Sequence, residues 1–239
     1  MRVVILQPSY IPWRGYFEQI FKADLFVFYD DVQYDKHGWR NRNRIKNHQG
    51  GQWLTIPVHS KGVVVENTPI HQVEIDWQQP WAARHWRAIQ QTYRKAPYFN
   101  EYAPWLEGTF QRQPALLADF TIPFTIELAR RLGIQHTRFL RSSQLVASGQ
   151  KTDRLIAILS SLGATHYISG PSASSYIEPE KFEAAGITLE YIEYNYPQYP
   201  QLYPPFDPFV TVLDLLFMTG PRAPEYIFNC KPGEASDEH

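Results

Sequence analysis

The sequence has little cysteine, little net charge and no long apolar run, and each shortage excludes a class of protein. Its single cysteine, Cys230, cannot form an internal disulfide framework, which fits a reducing compartment. A formal net charge of -1 gives no overall field to attract nucleic acid or an acidic membrane. The first apolar run stops at Gln7, far short of a signal peptide or a membrane span. We therefore expect a cytoplasmic protein that binds a small molecule, without nucleic acid or membrane insertion.

Familiar catalytic and metal-binding motifs are also missing from the sequence. There is no G-x-S-x-G nucleophile elbow, and no spacing of acidic, histidine and cysteine residues matches an EF-hand or a zinc site. We expect no metal site. The sequence identifies no cofactor, and it does not distinguish a monomer from a homodimer.

What the sequence does contain is an alternation of helical and strand patterns. The apolar runs Val3 to Leu6 and Leu25 to Tyr29 predict buried, adjacent strands, with a helix from about Tyr16 between them. From Leu116 onward, ELARRLGI leads to TRFL, DRLIAILSSLG to THYISG, and PEKFEAAG to TLEYIEY. Three such units predict an α/β fold with a mainly parallel, Rossmann-like sheet and crossover helices.

The middle of the chain is less regular than its two ends. Strands are predicted near residues 53–58 and 73–75, and a helix near residues 81–93, so we expect an irregular middle insertion in the sheet. We predict a single α/β domain over residues 1–231 and a disordered tail over residues 232–239.

Polar or glycine-bearing segments follow three of the predicted strands. They read QPSYIPWRGY, DDVQYDKHGWRNRNRIK and SGPSASSYI. Because ligands of parallel sheets collect at the carboxyl ends of the strands, we expect these segments to line one cleft.

The stretch WRNRNRIK, from Trp39 to Lys46, concentrates positive charge in a nearly neutral chain. If it is extended, Arg40, Arg42 and Arg44 lie on one face and the asparagines on the other. Arginine binds phosphate or carboxylate in a bidentate manner, so this face suits an anionic ligand. The alternative is a solvated edge strand whose charges discourage aggregation. The alternating asparagines and the preceding tryptophan favour the ligand site.

Several long stretches resemble the WbqC-like protein family. They are LQPSYIPWRGYFEQIFKADLFVFYDDVQYDKHGWRNRNRIK, LTIPV, KTDRLIAILSSLGATHYISGPSASSYI, YPQYPQ and VLDLLFMTG, which together extend from about Arg2 to Gly220. The resemblance implies a transferase of bacterial surface polysaccharide biosynthesis, of O-antigen type. Its expected reaction moves glycine or another acyl or aminoacyl group to a nucleotide-linked amino sugar. No catalytic residue is carried over from the family.

Such a transferase needs an anion site, a surface for base and sugar, and a proton acceptor. His37 lies close in sequence to Asp30 and Asp31, and a carboxylate beside a histidine raises its basicity, so these three are the candidate catalytic residues. The alternative is a surface histidine with an aspartate pair that caps a helix or begins a loop. The residues predicted to bind substrate are Gln7, Tyr10, Trp13, Tyr16, Trp39, Arg40, Asn41, Arg42, Asn43, Arg44, Lys151, Arg154, Gly170, Ser172, Ser174 and Tyr176.

Three of these choices have ordinary structural alternatives. Lys151 and Arg154 open a predicted helix, where cations oppose the helix dipole unless an anion is bound there. The loop from Gly170 to Tyr176 presents N–H groups and hydroxyls to a ligand, or forms a plain turn. The aromatic residues are either ring-binding platforms or core packing.

Two other functions compete with acyl transfer. The strand, the proline-containing turn and WRGY resemble the strand-HxGH-helix opening of nucleotidylyltransferases, but Trp13 and Tyr16 occupy the histidine positions. The other function is a non-catalytic module that binds a nucleotide or a sugar.

Overall fold

The computed structural model describes residues 1–59 and 67–228, and the predicted tail at residues 232–239 lies outside them. The strands are β1 (Arg2–Leu6), β2 (Leu25–Phe28), β3 (Arg42–Asn47), β4 (Gly50–Thr55), β5 (Arg138–Arg141), β6 (His166–Ser169) and β7 (Thr188–Tyr191). The α-helices are α1 (Arg14–Phe21), α2 (Trp81–Tyr93), α3 (Phe99–Phe110), α4 (Leu117–Arg131), α5 (Lys151–Ser161), α6 (Pro179–Ala184) and α7 (Val212–Thr219). No helix in the described ranges is both long and apolar enough to cross a membrane.

Five strands form a parallel sheet in the order β5-β2-β1-β6-β7. β1 pairs with β2 from Val3 opposite Leu25 to Leu6 opposite Phe28, and with β6 on its other side. The chain first builds the sheet outward from β1 through β2 to β5, and then returns to add β6 and β7. The predicted α/β fold with a parallel, Rossmann-like sheet is confirmed.

Helices cover both faces of this sheet, which explains the continuous apolar runs of β1 and β2. Val4, Phe26 and Phe28 face the larger core, into which α1 sends Phe17 and Ile20 and α4 sends Leu128. Val3, Ile5 and Val27 face the smaller core with α5 and α6. Because the residues of β1 and β2 are buried or half-buried, polar groups reach solvent chiefly where these two strands end.

Residues 29–137 separate β2 from β5 and form the predicted irregular insertion. They hold the antiparallel hairpin β3-β4, in which Arg44 lies opposite Trp53, and the helices α2 to α4. The helix predicted at residues 81–93 is α2. The strands predicted at residues 53–58 and 73–75 are wrong in extent, because β4 ends at Thr55 and only an isolated bridge joins Val58 to Ile75.

Candidate functional site

A cleft of about 380 Å³ opens at the carboxyl ends of β1 and β6. This position is the topological switch point of the sheet. The chain goes from β1 toward β2 and β5 on one side and from β6 toward β7 on the other, so no crossover covers the space between β1 and β6. Its lining residues are Leu6, Ser9, Pro12, Trp13, Tyr16, Gln19, Trp39, Arg40, Asn43, Gly170, Pro171, Ser172, Tyr194 and Phe209. The structure thus brings the first, second and third polar segments together in one cleft, which we call the Arg40 cleft.

Arg40 is the only charged residue in that lining among the described residues. Its Nε and Nη1 atoms are shut off from solvent and have no hydrogen-bond partner in the described part of the chain. None of the ion pairs found there includes Arg40. Burial lowers the pKa of its guanidinium, while Tyr16 and Asp35 act in the opposite direction. A buried guanidinium without partners is costly, and an anionic ligand would satisfy it.

The other two arginines of WRNRNRIK are engaged with the protein. The Arg42 guanidinium lies 4.9 Å from the ring centroid of Trp53 and donates a hydrogen bond to the His37 carbonyl. Arg44 forms an ion pair of 3.1 Å with Asp207 and donates to the Phe209 carbonyl. Neither Arg42 nor Arg44 lines the Arg40 cleft.

The two asparagines of the stretch fasten the hairpin to its surroundings. Asn43 is buried, and its amide donates to the Tyr10 and Ile11 carbonyls at 3.1 and 2.7 Å. Asn41 is also buried and donates to the Ile56 carbonyl at 2.8 Å. Within β3, Asn43 therefore packs on the loop after β1, while Arg42 and Arg44 contact Trp53 and Asp207. Arg40 precedes the strand and lines the cleft together with Asn43.

Aromatic side chains form much of the cleft wall. The Trp13 indole packs on Gly15, where an added Cβ would come within 2.4 Å of the ring, and meets Tyr194 edge-on at 4.9 Å between centroids. Gln19 donates through Nε2 to the Tyr194 hydroxyl at 2.7 Å, which leaves its buried Oε1 without a partner. The lining therefore offers rings, the Gln19 amide oxygen, the Arg40 guanidinium and the side chains of Ser9 and Ser172.

Two tryptophans make an exposed surface at the cleft mouth. Trp39 borders the cleft and stacks on Trp53 with ring centroids 5.5 Å apart and planes 29° apart. The two residues are 45% and 48% exposed. We call this pair the Trp shelf. Phe209, which is 60% exposed, lines the same cleft.

The candidate catalytic aspartates lie outside this lining. Asp30 is fully buried and accepts hydrogen bonds from the Ser143 amide and hydroxyl, each at 3.0 Å. Asp31 accepts from the Ser142 hydroxyl and forms an ion pair with Arg154. These contacts join the end of β2 to the end of β5 and to α5. Lys151 and Arg154 were expected to hold an anion at the start of α5. Arg154 needs no such ligand, because the Asp31 carboxylate already neutralises its charge.

The remaining predicted residues are distributed around the cleft and in the core. Tyr10 is buried, and its hydroxyl is 2.8 Å from His85 Nδ1, so it packs in the core. Tyr16 lines the cleft but donates its hydroxyl to the Gln7 carbonyl at 3.0 Å. The members that lie outside the cleft lining and are exposed are His37, Lys151, Ser174 and Tyr176.

Sequence reasoning missed Gln19, Trp53, Tyr194 and Phe209. Tyr194 and Phe209 flank the YPQYPQ segment, whose density of tyrosine and proline was the available signal. Gln19 lies inside a helix with no distinguishing neighbour, so no local pattern marks it.

The lining holds no acidic residue, histidine, lysine or cysteine within the described ranges. Across those ranges, no three His, Cys, Asp or Glu side chains are grouped in a way that could hold a metal ion. The described lining therefore combines one guanidinium with aromatic rings and contains no carboxylate or imidazole.

Comparisons with known proteins agree with one another. The profile of the WbqC-like protein family matches residues 7–226. A protein named "Uncharacterized protein Rv1507c", from Mycobacterium tuberculosis (strain ATCC 25618 / H37Rv), is 41% identical over 232 residues, which covers 96% of this chain and 99% of that protein. No solved structure matches the chain. The extent of both matches shows that the chain belongs to the WbqC-like protein family.

Proposed function

We propose that the chain is a transferase of bacterial surface polysaccharide biosynthesis, of O-antigen type. In this proposal, it moves glycine or another acyl or aminoacyl group onto the amino group of a nucleotide-linked amino sugar. The observation that carries the proposal is that Arg40 has two buried guanidinium nitrogens, Nε and Nη1, without a partner, in an aromatic cleft at the switch point of a parallel sheet. The diphosphate of a sugar nucleotide supplies the anion that this guanidinium lacks.

The reaction requires one bond to form, one to break and one proton to leave. The sugar amine attacks the carbonyl carbon of an activated acyl donor, the new C–N bond forms, and the bond from that carbon to the donor's leaving group breaks. We propose His37 as the acceptor of the ammonium proton, because it is exposed and its carbonyl contacts Arg42 beside the cleft mouth. Asp30 and Asp31 are left out of this role, because Ser142, Ser143 and Arg154 already occupy their oxygens.

A non-catalytic module that binds nucleotide sugars is the second candidate. The lack of acid and base side chains in the described lining favours it. The two candidates differ in one measurement: mass spectrometry of an amino-sugar nucleotide incubated with protein and acyl donors detects an acylated sugar only if transfer occurs. Nucleotidylyl transfer is not proposed, because Trp13 packs on Gly15 and the Tyr16 hydroxyl is engaged with Gln7, which leaves no phosphate-binding group at either position.

The first prediction tests the anion site through Arg40→Ala. Loss of charge-assisted hydrogen bonds should weaken binding of nucleoside diphosphates by about 1.5 to 3 kcal/mol, measured by isothermal titration calorimetry. Arg40→Lys should also lose affinity, because lysine lacks the planar fork. The free energy of unfolding should not fall, because Arg40 has no partner in the described protein to lose.

Arg44→Ala is the matched control for this experiment. It removes an arginine from the same stretch, but Arg44 is paired with Asp207 and lies outside the cleft lining. Its ligand affinity should match the wild type. Equal affinities for the wild type, Arg40→Ala and Arg44→Ala would refute the anion site.

A further inference from the structure

The Trp shelf continues the Arg40 cleft outward into solvent. Trp39 belongs to both surfaces, and Trp53 extends the aromatic area beyond the cleft edge. Two adjacent indoles that are each nearly half exposed form an unusual apolar area for a protein surface, and such areas mark binding sites. The proposed anion site alone gives no role to Trp53.

We infer that the Trp shelf binds the pyranose ring of the acceptor sugar, while the base and diphosphate of the same molecule occupy the Arg40 cleft. This inference rests on the proposed function and adds the direction in which the ligand lies. A pyranose presents one face of C–H groups, which are slightly positive and pack against the negative face of an indole ring. The surface available to it is the exposed part of the two indoles that their mutual stacking and Arg42 leave uncovered. Its hydroxyls then remain in water.

The polar groups of the cleft favour the base, rather than the sugar, in the enclosed part. Asn43 already donates to two carbonyls, and Gln19 Nε2 already donates to Tyr194. The amide atom that remains unpartnered there is Gln19 Oε1. A base needs few edge partners and stacks on aromatic walls, whereas an enclosed hexosamine would leave several hydroxyls unsatisfied.

The shelf is held in place before any ligand arrives. Trp53 lies on β4 opposite Arg44, whose ion pair with Asp207 fixes the hairpin to the C-terminal segment. The Arg42 guanidinium lies over the Trp53 ring and is itself held by the His37 carbonyl. A rigid platform binds a ring with little loss of conformational entropy.

This orientation also leaves the reacting nitrogen accessible. An amino sugar on the shelf lies outside the enclosed cleft, where a second substrate can approach it. The loop that carries His37 accepts a hydrogen bond from Arg42 through the His37 carbonyl, and Arg42 lies over Trp53, so this loop is next to the shelf. A sugar directed inward would meet no acid or base side chain in the described lining.

The test compares two probes on Trp53→Ala: a nucleoside diphosphate and the same nucleoside diphosphate joined to 2-amino-2-deoxyglucose. The base is the one that binds wild type most tightly. Trp53→Ala should weaken binding of the conjugate by about 3- to 10-fold, because one ring-to-ring contact is lost. Binding of the free nucleoside diphosphate should stay within about twofold. Trp53→Phe keeps a flat ring and should retain most of the affinity for the conjugate.

Each other outcome has a definite consequence. Equal weakening of both probes would place the base on the shelf, and unchanged binding of both would leave the shelf without a ligand; either result overturns the inference. If Arg40→Ala weakens both probes while Trp53→Ala weakens neither, the inference fails and the proposed function stands. If wild type binds neither probe, the proposed function itself fails.

Trp53→Ala also removes the ring over which the Arg42 guanidinium lies, and Arg42→Gln is the control for the loss of that contact. It keeps the indole and removes the guanidinium that lies over it. The ratio of the two affinities should remain as in wild type. A loss of conjugate binding equal to that in Trp53→Ala would assign the sugar contact to Arg42 and overturn the inference.

Discussion

At the scale of single residues, three arginines in one short stretch have three different environments. Arg44 has a carboxylate partner, Arg42 has an indole ring and a carbonyl, and Arg40 has two buried nitrogen atoms without a partner. The residue type is the same in each case, so the difference comes from what the rest of the chain places beside it. Arg42 Nε is also buried without a partner, but Arg40 alone of the three lines the cleft, where a ligand can reach it.

Gly15 gives a second residue-scale prediction, because it has the Trp13 indole against its Cα. Alanine in a helix is favoured over glycine by about 1 kcal/mol, but its Cβ would lie 2.4 Å from Trp13 Cζ2. Trp13 must then rotate away from Tyr194. We expect Gly15→Ala to lower the free energy of unfolding by about 1 to 3 kcal/mol and to weaken nucleotide binding.

Gly108→Ala is the control for helix propensity alone. Gly108 lies within α3, and an added Cβ there would meet nothing within 4 Å. This variant should be as stable as the wild type, or more stable by up to about 1 kcal/mol. If urea denaturation gives the same change in the free energy of unfolding for Gly15→Ala and Gly108→Ala, then the position of the Trp13 ring does not depend on a glycine at residue 15.

At the scale of elements, the β3-β4 hairpin supplies Asn43 and Trp53 and follows directly on the segment that holds Trp39 and Arg40. A hydrogen-bond chain runs from the Lys46 amide to the Tyr93 hydroxyl and on to Asp214, at 3.2 and 2.9 Å, and joins the hairpin to α2 and α7. The Lys46 ammonium meets Gln201 at 2.9 Å. Burial raises the pKa of the Asp214 carboxyl, and the Tyr93 hydroxyl opposes that shift. The hairpin is thus fixed on one face, while Trp53 and the preceding Trp39 remain about half exposed.

Asn43 tests how the hairpin is docked on the loop after β1. Asn43→Ala leaves the Tyr10 and Ile11 carbonyls without their donor, which should lower the free energy of unfolding by about 2 kcal/mol. Asn43→Asp should cost more, because it points a buried carboxylate at two carbonyl oxygens. Both variants should show weaker nucleotide binding.

Asn47→Asp serves as the control in the same strand. Asn47 is half-buried and donates to Gln52 within the hairpin itself. It should change the free energy of unfolding by less than about 1 kcal/mol in chemical denaturation. If Asn47→Asp and Asn43→Asp are equally destabilising, then the docking role assigned to Asn43 is contradicted.

At the scale of the whole molecule, the parallel sheet and the adjacency of β1 and β2 were predictable, and the contents of the cleft were predictable only in part. Continuous apolar runs such as Leu25 to Tyr29 report burial on both faces, which is a property of the local sequence. The period of two in WRNRNRIK holds within β3, where Asn43 is buried between the half-buried Arg42 and Arg44. It does not extend to Arg40, which precedes β3 and lines the cleft together with Asn43. The partner of Arg44 is Asp207, more than 160 positions away, and no local pattern links the two. Tertiary contacts therefore decide which arginine remains free for a ligand.

The last prediction concerns stability in acid, and it depends on His85 in the larger core. His85 Nδ1 lies 2.8 Å from the Tyr10 hydroxyl, and the ring packs edge-on against Trp81 at 5.3 Å between centroids. Burial lowers the pKa of the His85 imidazole from 6.5 to about 4. The unfolded chain therefore binds a proton at a pH where the folded chain does not. The stability that the neutral ring provides is complete above pH 6.5 and is lost as the pH falls toward 4, by about 3 kcal/mol in total.

His85→Gln cannot titrate in this range, so its free energy of unfolding, measured by urea denaturation from pH 7 to pH 4, should fall less steeply than that of the wild type. Parallel curves for the two proteins would show that His85 is not the group that couples folding to acid.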